Sequence, residues 1–398
     1  MHILEAYASN TCLKIDKPFI YEKYYNVPEG KYITLENPKF HDSKTFDHWD
    51  SVIRILKPIL DKNKIGIIQI GSKGDKSVKG CFDATKDVNA NQMAYIIKRS
   101  LLHLGVDGFP VQLASSFNKP IVALYSNYYA SHSKPYWSKD EDVVLIESDK
   151  EGDKPTYSSS EIPKTINTIK PEEVAKGVCD LLSIEFNYKY ETLYTGKFFH
   201  VGLVEVVPEN PVQISNMEGM PVYIRGDIKE PNVKVDSSNI DTQLSIDGKY
   251  SVIIDKPIDI SILKKHQSKI DTVVFIINKS SHISFYNEVI STGIKCTLAT
   301  YADEKEYNEM KFKFLDYPQI TKIEIDRADE INYPEDGINK LFYQSNKYTI
   351  YNNKFYPSQA ALEAGRPADK MDASAIYEVP DKSIFYKDID HVRILRQK

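Results

Sequence analysis

Three observations in this sequence predict an α/β fold in which parallel strands are covered by helices, arranged as two domains. Short apolar runs without polar alternation, IGIIQI, LLHLGV and PIVALY, suit strands buried on both faces. Between them lie segments with helical spacing, such as Trp49, Val52, Ile53, Leu56 and Ile59. The same alternation returns in the second half as SVIIDKP, ISILKKHQSKI and TVVFIIN.

The stretch Leu101 to Tyr125, LLHLGVDGFPVQLASSFNKPIVALY, reads as strand, turn, helix, strand. Asp107 and Gly108 fall just past the carboxyl end of the first strand, before a helix that Pro110 opens in its first turn. Open α/β sheets bind ligands at such strand ends. An Asx-turn or a helix cap is the competing reading for Asp107.

Length sets the scale for two or three domains, and 41% hydrophobic content supports ordinary cores across 398 residues. No window approaches about 18 uninterrupted apolar residues, so no membrane span is expected. MHILEAYASNTCLKIDKP lacks the layout of a signal peptide, and a cytoplasmic location is expected, the host cytoplasm if the chain is viral. Cys12, Cys81, Cys179 and Cys296 lie far apart, which indicates neither a disulfide framework nor a zinc site. A formal charge of −5 gives no global footprint for nucleic acid, although it leaves room for a local basic patch. The richness in Lys, Ile, Asn and Tyr is typical of an AT-rich genome, and the scattered tyrosines suit half-buried packing better than a stacking platform.

In chain order, ILEAYAS suggests a short helix, and KYITLE (Lys31 to Glu36) a strand after the turn at Pro28, Glu29 and Gly30. Asp47 is positioned to cap the helix from Trp49 to Leu60. IGIIQI ends at Gly71 and leads into GSKGDKSVKG, a Gly and Lys loop able to meet phosphate through backbone N–H groups and ammonium charge. It lacks the ending of a Walker A loop, and such turns are also common on plain surfaces. Asn89 and Gln92 form a capping box for QMAYIIKRS, VVLIES is a further strand, and Pro171-Glu172-Glu173 opens a helix running to about Leu182.

From Lys31 to Leu182 this order of elements and turns resembles the nucleotide-sugar-binding half of glycosyltransferase family 9, the heptosyltransferase-like enzymes of GT-B architecture. KYITLENPKFHDSKTFDHWDSVIRIL is similar to that family's first strand, loop and helix, with Lys44 at the place of a lysine near the donor phosphates or sugar. IGIIQIGSKGD is similar to its second strand and Gly-containing turn, Gly71 to Asp75. CFDATKDVNANQMAYIIKRSLLHLGVDG and LASSFNKPIVALYSNYYASHSKPYW resemble the tracts around the donor-site aspartate. The family's core is usually Asp, Ser or Thr, Gly, with a His five positions after the Asp; here Gly108 and Phe109 follow Asp107, and Gln112 stands at the His position. Gln112 can hydrogen-bond but carries no proton at neutral pH.

The resemblance implies two Rossmann-like domains facing across a cleft, in an order permuted from the usual one because the donor-like half comes first. The expected division is 1–185 for donor binding, 186–248 as a β-rich connection, and 249–398 as a second Rossmann-like, acceptor-side domain with a tail. In that second half, Ser281 is placed to cap HISFYNEVIS, a charged helix spans Asp303 to Phe314, and ITKIEID forms a strand. The tail has a hairpin signal at Asn352-Asn353 and a helix between Pro357 and Gly365.

Sugar transfer from a nucleotide diphosphate needs cations or helix N-termini for the leaving phosphates, hydrogen bonds to sugar hydroxyls, and a base. Lys44, Lys73 and Lys76 with the turn at Gly71 to Gly74 are the candidates for the first need, and Asp107, Gly108 and Gln112 for the second; Asp75 completes the expected donor-binding set. A solvated surface position is the competing reading for Lys44. The base is not identified; His2, Glu5 and acids of the second half are candidates. No cofactor or metal is expected, the nucleotide-diphosphate sugar being the donor substrate. The acceptor expected from the resemblance is a glycan or lipopolysaccharide. Two alternatives are a phage enzyme that glycosylates hydroxymethylated pyrimidines in DNA, and a non-catalytic module with a decayed donor site.

Overall fold

In a computed structural model the chain is α/β and divides into two compact units, Met1–Thr192 with Lys398, and Leu193–Gln397. The structure describes residues 1–398 apart from 40, 87, 151, 163, 215–218, 229–234, 282 and 324–339. No helix among the described residues is long and apolar enough to cross a membrane.

The first unit is a Rossmann-like layer of six parallel strands. They are β1 (Lys31–Glu36), β2 (Ile65–Ile70), β3 (Phe82–Asp83), β4 (His103–Val106), β5 (Ile121–Tyr125) and β6 (Val143–Glu147), in the order β3-β2-β1-β4-β5-β6. Its helices are α1 (Ile3–Thr11), α2 (Trp49–Lys62), α3 (Ala90–Arg99), α4 (Phe109–Ser116), α5 (Ala130–Ser133) and α6 (Pro171–Leu181). The side-chain period of two divides β1 between two cores. Ile33 and Leu35 pack with Trp49, Val52 and Leu56 of α2 and Val174 and Val178 of α6. Tyr32, on the opposite face, packs with Ile96 and Ile97 of α3 and Val111 and Ala114 of α4. Burial on both faces is why the sequence shows runs rather than alternation. From β1 the chain winds outward through β2 and β3, then returns to β4 and winds the other way, so the sheet reverses between β1 and β4.

The second unit holds its own α/β layer. Strands β8 (Leu203–Val206), β9 (Val222–Arg225), β10 (Tyr250–Ile254), β11 (Ile270–Ile276), β12 (Lys295–Thr300) and β13 (Thr321–Lys322) run parallel in sequence order, and β15 (Lys347–Tyr351) joins β8 on the other side, also parallel. β16 (Lys354–Tyr356) closes an antiparallel hairpin on β15, with Asn352 and Asn353 at positive φ of 48° and 56° in its turn. Helices α7 (Ser237–Ser245), α8 (Ile260–Lys265), α9 (Ser284–Ser291) and α10 (Glu304–Lys313) alternate with these strands, and α11 (Gln359–Glu363) and α12 (Lys382–Phe385) follow them. A smaller sheet orders β17 (Tyr377–Glu378), β14 (Leu341–Ser345), β18 (Val392–Gln397) and β7 (Tyr190–Thr195). The stretch 186–248 thus contributes β8 and β9 to the large sheet, where Val204, Val206, Val222 and Ile224 are core residues.

Cap assignments differ from expectation at two helices. His48 rather than Asp47 precedes α2, because the Asp47 carboxylate is engaged by Lys164 at 3.0 Å and by Asn167 at 2.8 Å. Ile283 rather than Ser281 precedes α9; Ser281 Oγ instead accepts from the Asn278 N–H at 2.9 Å. The strand expected over ITKIEID is present as β13, and its positions from 324 onward lie outside the described residues.

Buried charges tie β8, β9 and β15 together. Arg225 donates to Glu205 at 2.5 Å and to Asp227 at 2.7 and 2.8 Å, and Lys347 lies 2.6 Å from Asp388 and 3.2 Å from Glu205. Burial alone would raise the Glu205 carboxyl, but Arg225 and Lys347 outweigh it and hold the group down to about 2. A value below the unfolded one of about 4.3 makes its contribution fully present above that pH and lost as pH falls through about 2. Lys347→Met strands Glu205 and Asp388 with one fewer cation, so urea denaturation at neutral pH should show a loss of about 3–5 kcal/mol. An unchanged urea midpoint would contradict this role for Lys347.

Candidate functional site

The candidate site stands at the carboxyl ends of β1 and β4, where the first sheet reverses. β4 ends at Val106; the Asp107 N–H is taken by Leu124 O at 3.0 Å, and Gly108 precedes α4 with no side-chain cap. Asp107 is therefore no helix cap. Its carboxylate accepts from Lys44 Nζ at 2.8 Å, and its carbonyl accepts from the same nitrogen at 3.1 Å.

Lys44 reaches this point from a short 3-10 turn, Asp42–Lys44, that neighbouring loops fix in place. Ser43 is fully buried; its Oγ donates to Ser158 O at 2.8 Å, its N–H to Ser159 O at 3.1 Å, and its carbonyl accepts from Ser126 Oγ at 2.5 Å. The Lys44 and Asp107 side chains are only 20% and 13% exposed, so Lys44 is not a freely solvated lysine. Its ammonium also lies 5.1 Å from the centre of the Tyr128 ring.

The pair opens on a cavity of about 430 Å³, walled further by Tyr128, His132, Ser133 and Tyr157 and, at its rim, by Met1 and Ile3. Gln112 lies behind one wall. Its amide donates to Ser133 O at 2.7 Å and its carbonyl accepts from Tyr136 N–H at 3.4 Å, fastening the end of α5, which carries His132 and Ser133, to α4. Ser115 adds a second stitch, accepting from Trp137 N–H at 2.9 Å.

The Gly71 to Asp75 turn is a neighbouring feature with its own logic. Gly71 has φ +157°, and the Asp75 carboxylate occupies the space a Cβ would fill. That carboxylate accepts from Ser72 N–H at 2.6 Å and Lys39 N–H at 3.0 Å, so Asp75 shapes the loop. Lys73 and Lys76 are exposed, and the Lys76 carbonyl accepts from Asn37 at 3.2 Å and Gln69 at 2.8 Å. The structure thus joins Lys44 to Asp107, and sets Gly71, Lys73, Asp75, Lys76, Gly108 and Gln112 outside the lining of that cavity.

The two amino-terminal candidates for a base are engaged in folding. His2 Nδ1 accepts from Leu4 N–H at 3.2 Å, which leaves Nε2–H to donate to Lys134 O at 2.9 Å, and Glu5 accepts from His2 N–H at 3.1 Å. This is a capping box for α1.

Sequence reasoning missed Glu36, the last residue of β1. It is 9% exposed, and its Oε2 has no hydrogen-bond partner. Burial first, then repulsion from Asp75 and Asp107 against the attraction of Lys44, raises its carboxyl to about 8, so Glu36 is mostly a neutral acid at pH 7. Fully buried His103 lies close by. Its Nδ1 is 3.0 Å from Thr34 Oγ1, its Nε2 has no partner, and burial depresses its pKa to about 3. An ideal Cβ on Gly105 would stand 3.0 Å from His103 Nε2 and 3.5 Å from Glu36 Oε2, so the absent side chain leaves room between two unpartnered polar atoms. The available signal was a carboxylate closing an otherwise apolar strand, KYITLE, at a ligand-binding edge.

The order of the first sheet, reversing between β1 and β4, defines a Rossmann-like unit. No family model and no curated protein matches this chain. Solved structures with partial likeness include the iron-containing dodecameric glycosyltransferase TibC from enterotoxigenic E. coli H10407, at 12% identity over 41% of this chain and 49% of that one, with a TM-score of 0.31. A glycosyl transferase family 9 protein from Veillonella parvula DSM 2008 shows 16% identity over 45% and 50%, with a TM-score of 0.30. The ADP-heptose lps heptosyltransferase II of E. coli shows 16% over 45% and 51%, with a TM-score of 0.29. The match spans about half the length of each of these proteins.

Because the folded pKa of Glu36 lies above the unfolded value of about 4.3, the native state holds a proton that the unfolded chain releases. Stability should therefore fall as pH rises from about 4.3 and level off above about 8. Glu36→Gln keeps the shape and a neutral donor, so its urea-denaturation profile should be flatter across that window. A wild-type profile no steeper than that of the variant would contradict a buried neutral acid.

Proposed function

We propose that this chain is a glycosyltransferase that takes a sugar from a nucleotide-diphosphate donor bound in the first unit and passes it to a glycan or lipopolysaccharide-type acceptor. The observation that carries the proposal is the Lys44 to Asp107 pair at the reversal point of the sheet, beside a cavity large enough for a small molecule. Lys44 has three donor hydrogens and a charge that a diphosphate can share with Asp107. The Asp107 carboxylate accepts from sugar hydroxyls, and Gly108 opens α4 without a side-chain cap over its first amide groups. In this mechanism the leaving phosphates are stabilised by Lys44 and helix amides rather than by a metal, as in metal-independent GT-B transfer. Two Rossmann-like units in one chain are the domain complement that such enzymes use.

Thermal melting in the presence of UDP-, ADP- and GDP-sugars tests the donor site, since a ligand that binds only the folded state raises Tm by mass action. At least one of them should raise Tm. Lys44→Ala should weaken the responding donor about 10- to 100-fold, the loss of a charge-assisted hydrogen bond of about 1.5–3 kcal/mol. Absence of any Tm rise, together with no heat of binding for any of these donors, would end the proposal.

A further inference from the structure

We propose that the cavity beside Lys44 holds the nucleoside end of its ligand by stacking, with the ring of Tyr157 as anchor and Tyr128 and His132 as further walls. This rests on the nucleotide-sugar reading above and assigns the part of the ligand that the reading leaves open.

Tyr157 is the informative residue. Its φ is +55°, in the left-handed region, which a bulky side chain adopts only when its surroundings impose it. The imposing contacts are present: its N–H donates to Asn127 O at 3.0 Å, and the next carbonyl, Ser158 O, accepts from Asn127 Nδ2 at 2.6 Å and from Ser43 Oγ at 2.8 Å. Yet the ring is 47% exposed and belongs to no core. Hydrogen bonds rather than core packing hold this angle, and they leave the ring half exposed at the cavity.

The surroundings fit a planar ligand. The Tyr157 ring is 6.5 Å from His132 with 17° between planes, and 5.2 Å from Tyr128 at 84°, which makes a three-sided aromatic wall. Lys44 sits on the Tyr128 side, at 5.1 Å from that ring, so a base on the wall places its phosphates toward the ammonium. Ser133 lines the same cavity, while its Oγ is sealed from the cavity's contents. Three rings read a π-face rather than a hydrogen-bonding edge, so purine and pyrimidine nucleotides should both enter. Because Ser158 and Ser159 bind Ser43, the loop that presents Tyr157 also fixes the turn that presents Lys44.

The test uses the full chain, with ADP, UDP and inorganic pyrophosphate as probes in isothermal calorimetry. Tyr157→Gly removes the ring and suits the backbone, since glycine adopts positive φ without strain, so its Tm should match or exceed that of the wild type. Its affinity for ADP and UDP should fall about 10- to 100-fold while pyrophosphate binding stays within about twofold. Tyr157→Phe should keep nucleotide affinity within about threefold. Nucleotide binding that survives Tyr157→Gly unchanged, or a variant that loses pyrophosphate equally, would overturn the stacking site while leaving the donor reading intact. A wild type that binds none of the three probes would remove both.

Discussion

The contact between Lys44 and Asp107 is the constraint on which the rest of the first unit's site depends. It joins two segments far apart in sequence at the one point where the sheet changes winding direction, and it does so with both side chains largely out of water. Loops around it are arranged to keep that geometry. Ser43 is held from three directions, Gln112 and Ser115 stitch the wall carrying His132 and Ser133 to α4, and the Asp107 backbone is tied to β5 while Gly108 takes the N-cap position of α4. A preformed pair of opposite charges is also a preformed competitor, so an incoming anion must share the ammonium with the carboxylate rather than simply meet it.

Much of this was legible in the sequence. Runs such as IGIIQI and PIVALY gave the buried parallel strands because burial on both faces removes alternation, and Asn89 with Gln92 gave the start of α3 because a capping box is local chemistry. Asp107 could be singled out because position at a strand end is a property of the chain, and Lys44 because its loop resembles the first loop of the heptosyltransferase-like family. What could not be read is where side chains turn once tertiary neighbours compete for them. Asp47 looked like a cap and is claimed by Lys164 and Asn167, and the Gln112 amide turns to the Ser133 carbonyl of α5. Stretch 186–248 read as connection because β8 and β9 are only four residues each, too short to announce a sheet that is completed by strands far downstream.

Glu36 and Tyr157 were invisible for different reasons. A glutamate closing a strand is ordinary until packing shows that its Oε2 has no hydrogen-bond partner, and a tyrosine in a polar loop is ordinary until its backbone angle is known. Both are places where local preference is overridden, and such places concentrate at sites that do something.

The raised carboxyl of Glu36 has a consequence for any anion that docks at Lys44. Among its neighbours Lys44 is the cation that favours ionised Glu36, so an anionic guest that draws on that charge strengthens the hold of Glu36 on its proton. Near pH 8 the acid is half ionised, and occupancy of the site would then take up hydrogen ions from the medium. Guest and proton become linked ligands, and the apparent affinity at this strand edge carries the alkalinity of its surroundings within it.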